Sequence, residues 1–278
     1  MKQLFDDVSA HASKFTTKTY STSFSLGIYC LNQRFHRAIY NIYGFVRFAD
    51  EIVDSFHEYD KAALLKEFRQ DTYKAIDRKI SLNPILNSFQ EVVNQYHIDR
   101  ELIDRFLDSM EMDLDQNFHS QHSYSQYILG SAEVVGLMCL RVFTEGNDNQ
   151  YQHLKPTAMK LGAAFQKVNF LRDLKNDFEA LGRTYFPQIN MRNFSKAEKN
   201  EIEKEIESDF DEALKGIKQL PSSSRFGVYV AYVYYRSLFN KIKAVPPGRI
   251  LSERVRVPNT EKVSLLMTSF FRHSLRMI

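Results

Sequence analysis

Residues that break helices are scarce in this sequence. Its 278 residues include only ten glycines and seven prolines, well below the usual frequencies of about 7% and 5%. Sustained alternation of Val, Ile and Thr, which would predict β-strands, is also missing. We therefore expect an almost entirely α-helical protein, with one domain over residues 1–278. Capping and turn residues predict helices near residues 2–19, 33–56, 60–78, 83–94, 99–118, 123–144, 149–180, 195–219, 222–244 and 259–275.

Cysteine is equally scarce, and the net charge is small. Cys30 and Cys139 have no paired spacing and no histidine cluster beside them. We therefore expect free thiols in a reducing compartment rather than a disulfide or zinc framework. The formal net charge is +3, and no block of Lys and Arg is interleaved with aromatic residues. This pattern argues against a nucleic acid partner.

Long apolar runs and a secretory signal are also missing. The first residues lack an apolar core with a cleavage pattern. The longest apolar stretch, Gly227 to Tyr235, is far shorter than the roughly 18 residues that span a bilayer. We expect a cytoplasmic protein that is at most peripherally bound at the inner face of a membrane.

What the sequence does contain is a polar stripe on a helix that is otherwise apolar. Tyr43, Arg47, Asp50 and Asp54 follow one another at steps of four, three and four residues. That spacing puts them on one side of a helix. Apolar residues surround them: Ile42, Phe45, Val46, Phe48, Ile52 and Val53.

A second stripe of the same kind lies further along the chain. Gln166, Asn169, Asp173 and Asp177 are spaced by three, four and four residues and again share one helix face. Two such stripes facing each other would place four carboxylates around an internal volume. Hard divalent cations take oxygen ligands and bridge to substrate phosphates, so the arrangement suits them. Buried salt bridges between helices are the alternative.

A third Asp-x-x-x-Asp pair has a different setting. Asp104 and Asp108 share a stripe with Glu111 and Asp115, and the apolar residues of this helix gather on the opposite side. This pattern is typical of an amphipathic helix with an acidic face in solvent. About one such pair is expected by chance, so the spacing alone does not identify a site.

Five ordered motifs resemble those of the squalene/phytoene synthase family. Residues 47–54 read Arg-Phe-Ala-Asp-Glu-Ile-Val-Asp, close to the family's Arg-x-x-Asp-Asp-x-x-Asp. Residues 169–177 read Asn-Phe-Leu-Arg-Asp-Leu-Lys-Asn-Asp, and residues 182–187 read Gly-Arg-Thr-Tyr-Phe-Pro. Residues 21–24 are Ser-Thr-Ser-Phe, and residues 127–136 follow the pattern Tyr-x-x-x-x-Ala-x-x-Val-Gly. The order and separations match from about residue 15 to residue 260.

The chain departs from the family pattern at two positions. Glu51 stands where the second Asp of the first signature is usual; it lies about 80° off the stripe, so its change should not remove a ligand. Leu129 stands where some relatives carry a tyrosine inside the central cavity. Tyr127 is then the tyrosine of this stretch that the resemblance assigns to the cavity.

The resemblance implies an all-α isoprenoid-synthase fold, a single-domain helical bundle around a central cavity. It also implies head-to-head condensation of two prenyl diphosphates through a cyclopropylcarbinyl diphosphate. Mg²⁺, which Mn²⁺ could replace, would be held by Asp50, Asp54, Asn169, Asp173 and Asp177. Diphosphate contacts are expected from Ser21, Arg47, Gln166, Arg172, Arg183 and Arg254. Tyr43 would steer the carbocation or shuttle its proton, and Tyr235 could cap the cavity with Tyr127.

The preferred product is phytoene, formed from two geranylgeranyl diphosphates without NADPH. Residues 182–187 and the segment Arg-Ile-Leu-Ser-Glu-Arg-Val-Arg-Val-Pro at 249–258 look closer to bacterial phytoene synthases. The alternative enzyme is a squalene or dehydrosqualene synthase that uses farnesyl diphosphate. An alternative of another class is a catalytically silent homologue that binds lipid or a protein partner.

The C-terminal segment, Lys262 to Ile278, combines apolar residues with Lys and Arg. Such a basic amphipathic helix can lie in the interface of an anionic bilayer. It can equally pack on the bundle as its closing helix, because Phe270 and Phe271 are bulky enough for a core.

Overall fold

The structure, a computed structural model, describes residues 1–114, 120–181, 185–187 and 194–274, except for the side chains of 176, 178–181, 259 and 271–274. Within these ranges the regular structure is helical and no strand is present. The helices are α1 (Lys2–Tyr20), α2 (Thr22–Tyr29), α3 (Gln33–Ser55), α4 (Lys61–Arg78), α5 (Pro84–Tyr96), α6 (Arg100–Met112), α7 (Gln121–Ile128), a π-helix (Leu129–Glu133), α8 (Val134–Phe143), α9 (Asp148–Leu181), α10 (Lys196–Gln219), α11 (Ser222–Lys243), α12 (Pro247–Ile250) and α13 (Asn259–Ser274).

Local capping chemistry sets most of the helix ends that the sequence predicts. The side chain of Asn83 accepts hydrogen bonds from the amides of Ile85 (3.0 Å) and Leu86 (3.4 Å), and Pro84 occupies the first turn of α5. Ser195 and Glu198 form a reciprocal capping box at the start of α10. Each cap satisfies amide groups that the first turn of a helix leaves without partners.

Apart from α12, which lies within a stretch predicted to be a break between helices, and α6, which ends at Met112 rather than near residue 118, two elements differ from the sequence prediction. The predicted helix over 123–144 is divided by the π-helix, where a Cβ at Gly130 would lie 2.4 Å from the carbonyl oxygen of Arg105. The absence of a side chain there lets α6 approach the π-helix backbone closely. Helix α2 is the other difference, and Ser21 caps it by accepting from the amide of Phe24 at 3.2 Å.

The helices surround two packed regions with a cavity between them. Phe45 and Phe89 stack at 3.8 Å between ring centroids in one region, and Phe210 and Phe239 are fully buried in the other. The cavity has a volume of about 250 Å³, and α2, α3, the π-helix, α8, α9, α10 and α11 line it. Along α9 it extends from Gln166 to Leu154. The twelve residue steps between them correspond to about 18 Å of helix.

One described segment, Gln121–Phe143, is long and apolar enough to cross a membrane by length and composition. The sequence did not lead us to expect this segment, because Gly227 to Tyr235 is the longest uninterrupted apolar stretch. Inside the protein, 56% of the apolar window is buried, and the π-helix interrupts the segment. These two features are typical of a core helix in a large bundle.

Candidate functional site

The first polar stripe lies on the second half of α3, where its arginine forms ion pairs with two carboxylates of the same helix. Arg47 forms ion pairs with Asp50 and with Glu51 on the same helix. Its guanidinium also lies over the ring of Tyr20, 4.2 Å from the centroid. Burial alone would lower the pKa of Arg47, but the charges of Asp50 and Glu51 outweigh it and raise that pKa.

The second stripe, on α9, carries a carboxylate that two arginines share. Arg172 donates from Nε to Oδ1 of Asp173 at 3.0 Å, and Arg254 donates to the same oxygen at 2.7 Å. The Asp173 side chain is only 19% exposed, whereas that of Arg254 is 51% exposed. Arg254 therefore reaches the stripe from the solvent side, across 81 residues of sequence.

Two tyrosines connect the stripes to the cavity. Tyr43 on α3 stacks on Phe24 at 4.9 Å, and Tyr235 on α11 stacks on Phe165 at 3.9 Å. Both phenylalanines line the cavity. The hydroxyl of Tyr235 donates to Oδ1 of Asn169 on the second stripe at 3.4 Å. Each polar stripe is therefore one aromatic ring away from the apolar space.

Electrostatic contacts bring further predicted residues to the same place. Burial raises the pKa of Tyr43 to about 12, and the nearby charge of Asp50 and the phenol of Tyr235 act in the same direction. The charge of Arg47 and a hydrogen bond with Ser21 oppose that rise. The side chains that act on the pKa of Tyr43 therefore lie around it: Ser21, Arg47, Asp50 and Tyr235.

Gln166 lies where the second stripe meets the cavity wall. Its Nε2 donates to Oγ of Ser131 at 3.3 Å, and both residues line the cavity. Asp54 and Asp177 are half-buried on their stripes. Arg183 falls outside the residues that the structure describes.

Tyr127 occupies a different place from the other predicted site residues. Its side chain is 4% exposed, and its hydroxyl donates to Oδ2 of Asp113 at 2.7 Å. Its ring stacks on Tyr185 at 5.0 Å. Tyr127 and Leu129 are not among the residues that line the cavity. Contact between Tyr127 and a substrate therefore stays a prediction that the cavity wall does not support.

The oxygen ligands of the two stripes suit a hard cation, although the part of the chain that the structure describes contains no preformed cage for one. Within the described ranges, no group of three or more His, Cys, Asp or Glu side chains could hold a metal ion. Mg²⁺ usually uses one or two carboxylates together with water and substrate phosphates. The stripes fit such a shared mode of binding, in which the substrate supplies the remaining ligands.

The third acidic stripe is in solvent, as the sequence predicted. The side chains of Asp104, Asp108 and Glu111 are 48%, 62% and 70% exposed, and all three lie within 4 Å of Arg69. Asp115 lies outside the described residues. This stripe therefore serves as a control for the other two.

Sequence reasoning missed several residues that complete the site. Tyr20, beneath Arg47, gave no signal because it comes from a different helix. Glu51 lies off the stripe by helical angle, yet its long side chain reaches Arg47. Ser131 could have been suspected only as a hydroxyl within an apolar segment. Asp113 lies outside this group: it accepts a hydrogen bond from Tyr127 and lies 3.4 Å from the hydroxyl of Tyr185.

Comparison with known proteins gives a consistent result. The sequence model of the family described as squalene/phytoene synthase matches residues 17–261. Phytoene synthase 1 of Solanum lycopersicum is 26% identical over 81% of this chain and 59% of its own length. Phytoene synthase 1 of Arabidopsis thaliana is 26% identical over 92% of this chain and 65% of its own length. The chain thus spans less than two thirds of these plant proteins.

A bacterial relative is matched over more of its length. The 4,4'-diapophytoene synthase of Staphylococcus haemolyticus is 24% identical over 81% of this chain and 84% of its own. Among solved structures, a dehydrosqualene synthase in complex with a ligand superposes with a TM-score of 0.84, at 21% identity and 99% coverage of both chains. A squalene synthase from Alicyclobacillus acidocaldarius gives a TM-score of 0.73 at 17% identity, covering 84% of this chain and 93% of its own. The fold is the isoprenoid-synthase helical fold of these structures.

Proposed function

Because the chain belongs to the squalene/phytoene synthase family, we propose that it joins two prenyl diphosphates head to head and releases both diphosphates. The observation that carries this proposal is the position of the two stripes. Carboxylates and arginines of α3 and α9 lie beside an apolar cavity, separated from it by the stacked pairs Phe24–Tyr43 and Phe165–Tyr235. A substrate with a charged head and a hydrocarbon tail could place its head at the stripes and its tail in the cavity.

The proposed metal ligands are the oxygen-bearing residues of both stripes: Asp50, Asp54, Asn169, Asp173 and Asp177. Mg²⁺, or Mn²⁺ in its place, acts when bound as a Lewis acid that stabilises the departing diphosphate. Ion pairs with arginines fix the positions of two of these carboxylates: Arg47 holds Asp50, and Arg172 and Arg254 hold Asp173.

The arginines would contact the diphosphates when the substrate binds. Arg47, Arg172 and Arg254 form ion pairs with carboxylates in the structure. Diphosphate oxygens present the same paired acceptors to a guanidinium. We propose that these arginines, together with Ser21, Gln166 and Arg183, would contact the diphosphate oxygens of a bound substrate. The planar forks would then orient the leaving group.

The chemistry of the tail takes place in the apolar cavity. The C1–O bond of the first substrate breaks, and the double bond of the second attacks the resulting cation. Loss of a proton closes a cyclopropylcarbinyl diphosphate. A second ionisation and rearrangement create the C1–C1′ bond. Aromatic faces such as those of Phe24 and Phe165 can stabilise cations, and the apolar wall keeps out water that would quench them.

The final step distinguishes the products. Loss of a proton gives phytoene or dehydrosqualene, whereas hydride from NADPH gives squalene. We propose the first outcome with C20 substrates, hence phytoene. Support comes from the plant phytoene synthases among the relatives. The diapophytoene synthase and the dehydrosqualene synthase favour the C15 alternative.

Product identification tests this proposal. The purified protein is incubated with Mg²⁺ and either the C15 or the C20 diphosphate, each with and without NADPH. We expect a C40 hydrocarbon from the C20 substrate, in an amount that NADPH does not change. A C30 hydrocarbon formed only from the C15 substrate would replace phytoene by dehydrosqualene, or by squalene if NADPH is needed. Release of no diphosphate from either substrate would favour a catalytically silent homologue.

We also propose that the protein works in the cytoplasm, in peripheral contact with the inner face of a membrane. A long hydrocarbon product cannot cross water, so it must be delivered to lipid. Val263 and Met267, four residues apart on α13, are 61% and 51% exposed, and Phe270 beside them is 53% exposed although its ring also contacts Phe226 of α11, 6.1 Å between centroids. The opposite face of α13 packs on the bundle through Leu265 and the buried Ser269. The helix thus has one face for the bundle and one for a lipid surface.

A further inference from the structure

The π-helix places a serine hydroxyl on the cavity wall. Ser131 lies in the middle of this turn and lines the cavity. Its Oγ donates to the carbonyl oxygen of Tyr127 at 2.8 Å and lies 3.3 Å from Nε2 of Gln166. Most of the other lining residues are aliphatic, aromatic or glycine. The pair Ser131–Gln166 is therefore a polar exception in an apolar wall.

Proton accounting fixes the orientation of the Gln166 amide. A serine hydroxyl has one proton, and Ser131 uses it on the carbonyl of Tyr127. Towards Gln166 it can only accept, so the NH₂ end of the amide faces Ser131 and the carbonyl end faces away. Among the described residues, this side chain forms its hydrogen bond through Nε2, and none is formed by Oε1. The amide therefore has an oriented and unused acceptor.

The other hydroxyl on the wall has no comparable geometry. Thr157 donates to the carbonyl of Leu154, 2.9 Å away, and so satisfies an oxygen of its own helix. Gln166 is thus the residue whose carbonyl dipole is available to the contents of the cavity. A fixed dipole in a low-dielectric space interacts strongly with a charge that forms there.

We propose that Ser131 is a positioning residue. It holds the Gln166 amide so that Oε1 faces the cationic intermediates, and the amide favours a cation over a neutral chain of equal shape. The inference rests on the proposed function, because prenyl diphosphates must ionise in this cavity for the cation to exist. Ser131 itself need not touch the substrate.

Binding of a charged and a neutral ligand tests the proposal without turnover. The probes are a prenyl trialkylammonium salt of C15 length and the matching neutral prenyl alcohol, titrated calorimetrically into the full-length protein. We expect Ser131→Ala to weaken binding of the ammonium ligand about fivefold or more, while affinity for the alcohol changes less than about twofold. Ser131→Thr keeps a hydroxyl that can make the same backbone bond and should restore the parent ratio.

A matched control separates this effect from the loss of a serine on a helix. Ser125 on α7 donates to the carbonyl of Gln121 at 3.0 Å, the same bond to the residue four positions earlier, but in solvent. Ser125→Ala should leave both affinities unchanged. If Ser131→Ala weakened both probes equally, Ser131 would only support the wall, and the proposal would be overturned.

A double-mutant cycle tests whether Ser131 acts through Gln166. Gln166→Leu removes the amide, so Ser131→Ala should have little further effect on the ammonium ligand in that background. A full additional loss would contradict the proposal. This outcome is distinct from failure of the proposed function, which would be seen as no diphosphate release by the parent protein from C15 or C20 substrates.

Discussion

At the scale of single residues, Asp50 and Asp173 resemble each other more than either resembles Asp108. Asp50 and Asp173 each pair with an arginine that is largely buried; the side chains of Arg47 and Arg172 are 23% and 20% exposed. Asp108 pairs with Arg69 while 62% exposed. Arg69 is itself only 26% exposed, so the difference lies in the carboxylates: Asp50 and Asp173 are 35% and 19% exposed and lose more solvation than Asp108 does.

Removal of a stripe carboxylate should abolish turnover. We expect Asp50→Ala and Asp173→Ala to lower kcat at least about a hundredfold, roughly 2.7 kcal/mol of barrier. The fold should remain, with Asp173→Ala modestly destabilised because Arg172 loses its partner. Asp108→Ala should retain activity within about twofold. Equal losses for Asp108→Ala and Asp173→Ala, measured by diphosphate release, would mean that the wrong stripe had been assigned.

Arg47 should not tolerate lysine. A lysine is a point charge and cannot reproduce the planar fork that reaches Asp50 and Glu51 together. We expect Arg47→Lys to lower kcat/KM at least about tenfold, or roughly 1.4 kcal/mol. Arg69→Lys, on the solvated stripe, is the control and should be close to neutral. A smaller loss for Arg47→Lys in steady-state kinetics would count against direct contact with diphosphate.

Tyr43 should act as a neutral phenol. Because burial raises its pKa to about 12, it stays protonated at neutral pH. Because the pKa of Tyr43 is higher in the folded state than in the unfolded state, where it is about 10, the protonated phenol stabilises the folded state, and this contribution is complete at pH values below 10. That contribution is lost as pH rises through 12. Above pH 10 the unfolding free energy of the parent should therefore fall more steeply than that of Tyr43→Phe, measured by denaturant titration at pH 8 and 11. Parallel curves would refute the assigned burial.

At the scale of elements, helix positions follow from local sequence, whereas contacts between helices do not. The bounds of α1, α3, α5 and α9 lie within two residues of the predicted ones, because periodicity and caps are local signals. The π-helix and the contact of Arg254 with Asp173 depend on packing between distant segments. The sequence showed that each stripe lies on one helix face. The hydrogen bond from Tyr235 to Asn169 of the second stripe could be found only in the tertiary structure.

Helix α13 should bind anionic lipid through its exposed face. We expect simultaneous substitution of Val263, Met267 and Phe270 by serine to remove binding to anionic vesicles in flotation assays. Leu82→Ser, at a side chain that is 91% exposed elsewhere, should not affect flotation. Substitution is preferable to deletion of residues 262–278, which would uncover the face of α11 against which α13 packs. Unchanged flotation of the triple variant would assign lipid contact to another surface.

At the scale of the whole molecule, the fold places the charged groups and the apolar space side by side. The cavity of about 250 Å³ extends along α9, and the carboxylates follow on the same helix after Gln166. One long helix therefore carries both the hydrocarbon wall and half of the proposed diphosphate site. In the proposed reaction, ionisation at the stripes and joining of the chains in the cavity would occur on one bound pair of substrates.

The position of the new carbon–carbon bond tests the proposed head-to-head joining most directly. The protein is supplied with Mg²⁺ and prenyl diphosphate labelled with ¹³C at C1, and the hydrocarbon product is examined by NMR. Head-to-head joining places the two labelled carbons next to each other at equivalent central positions, so we predict one enriched ¹³C resonance and, for the attached protons, the second-order splitting pattern of a bonded ¹³CH–¹³CH pair. A product in which two chains are joined but the two labelled carbons are not bonded to each other would contradict head-to-head joining, as would release of labelled prenyl alcohol alone.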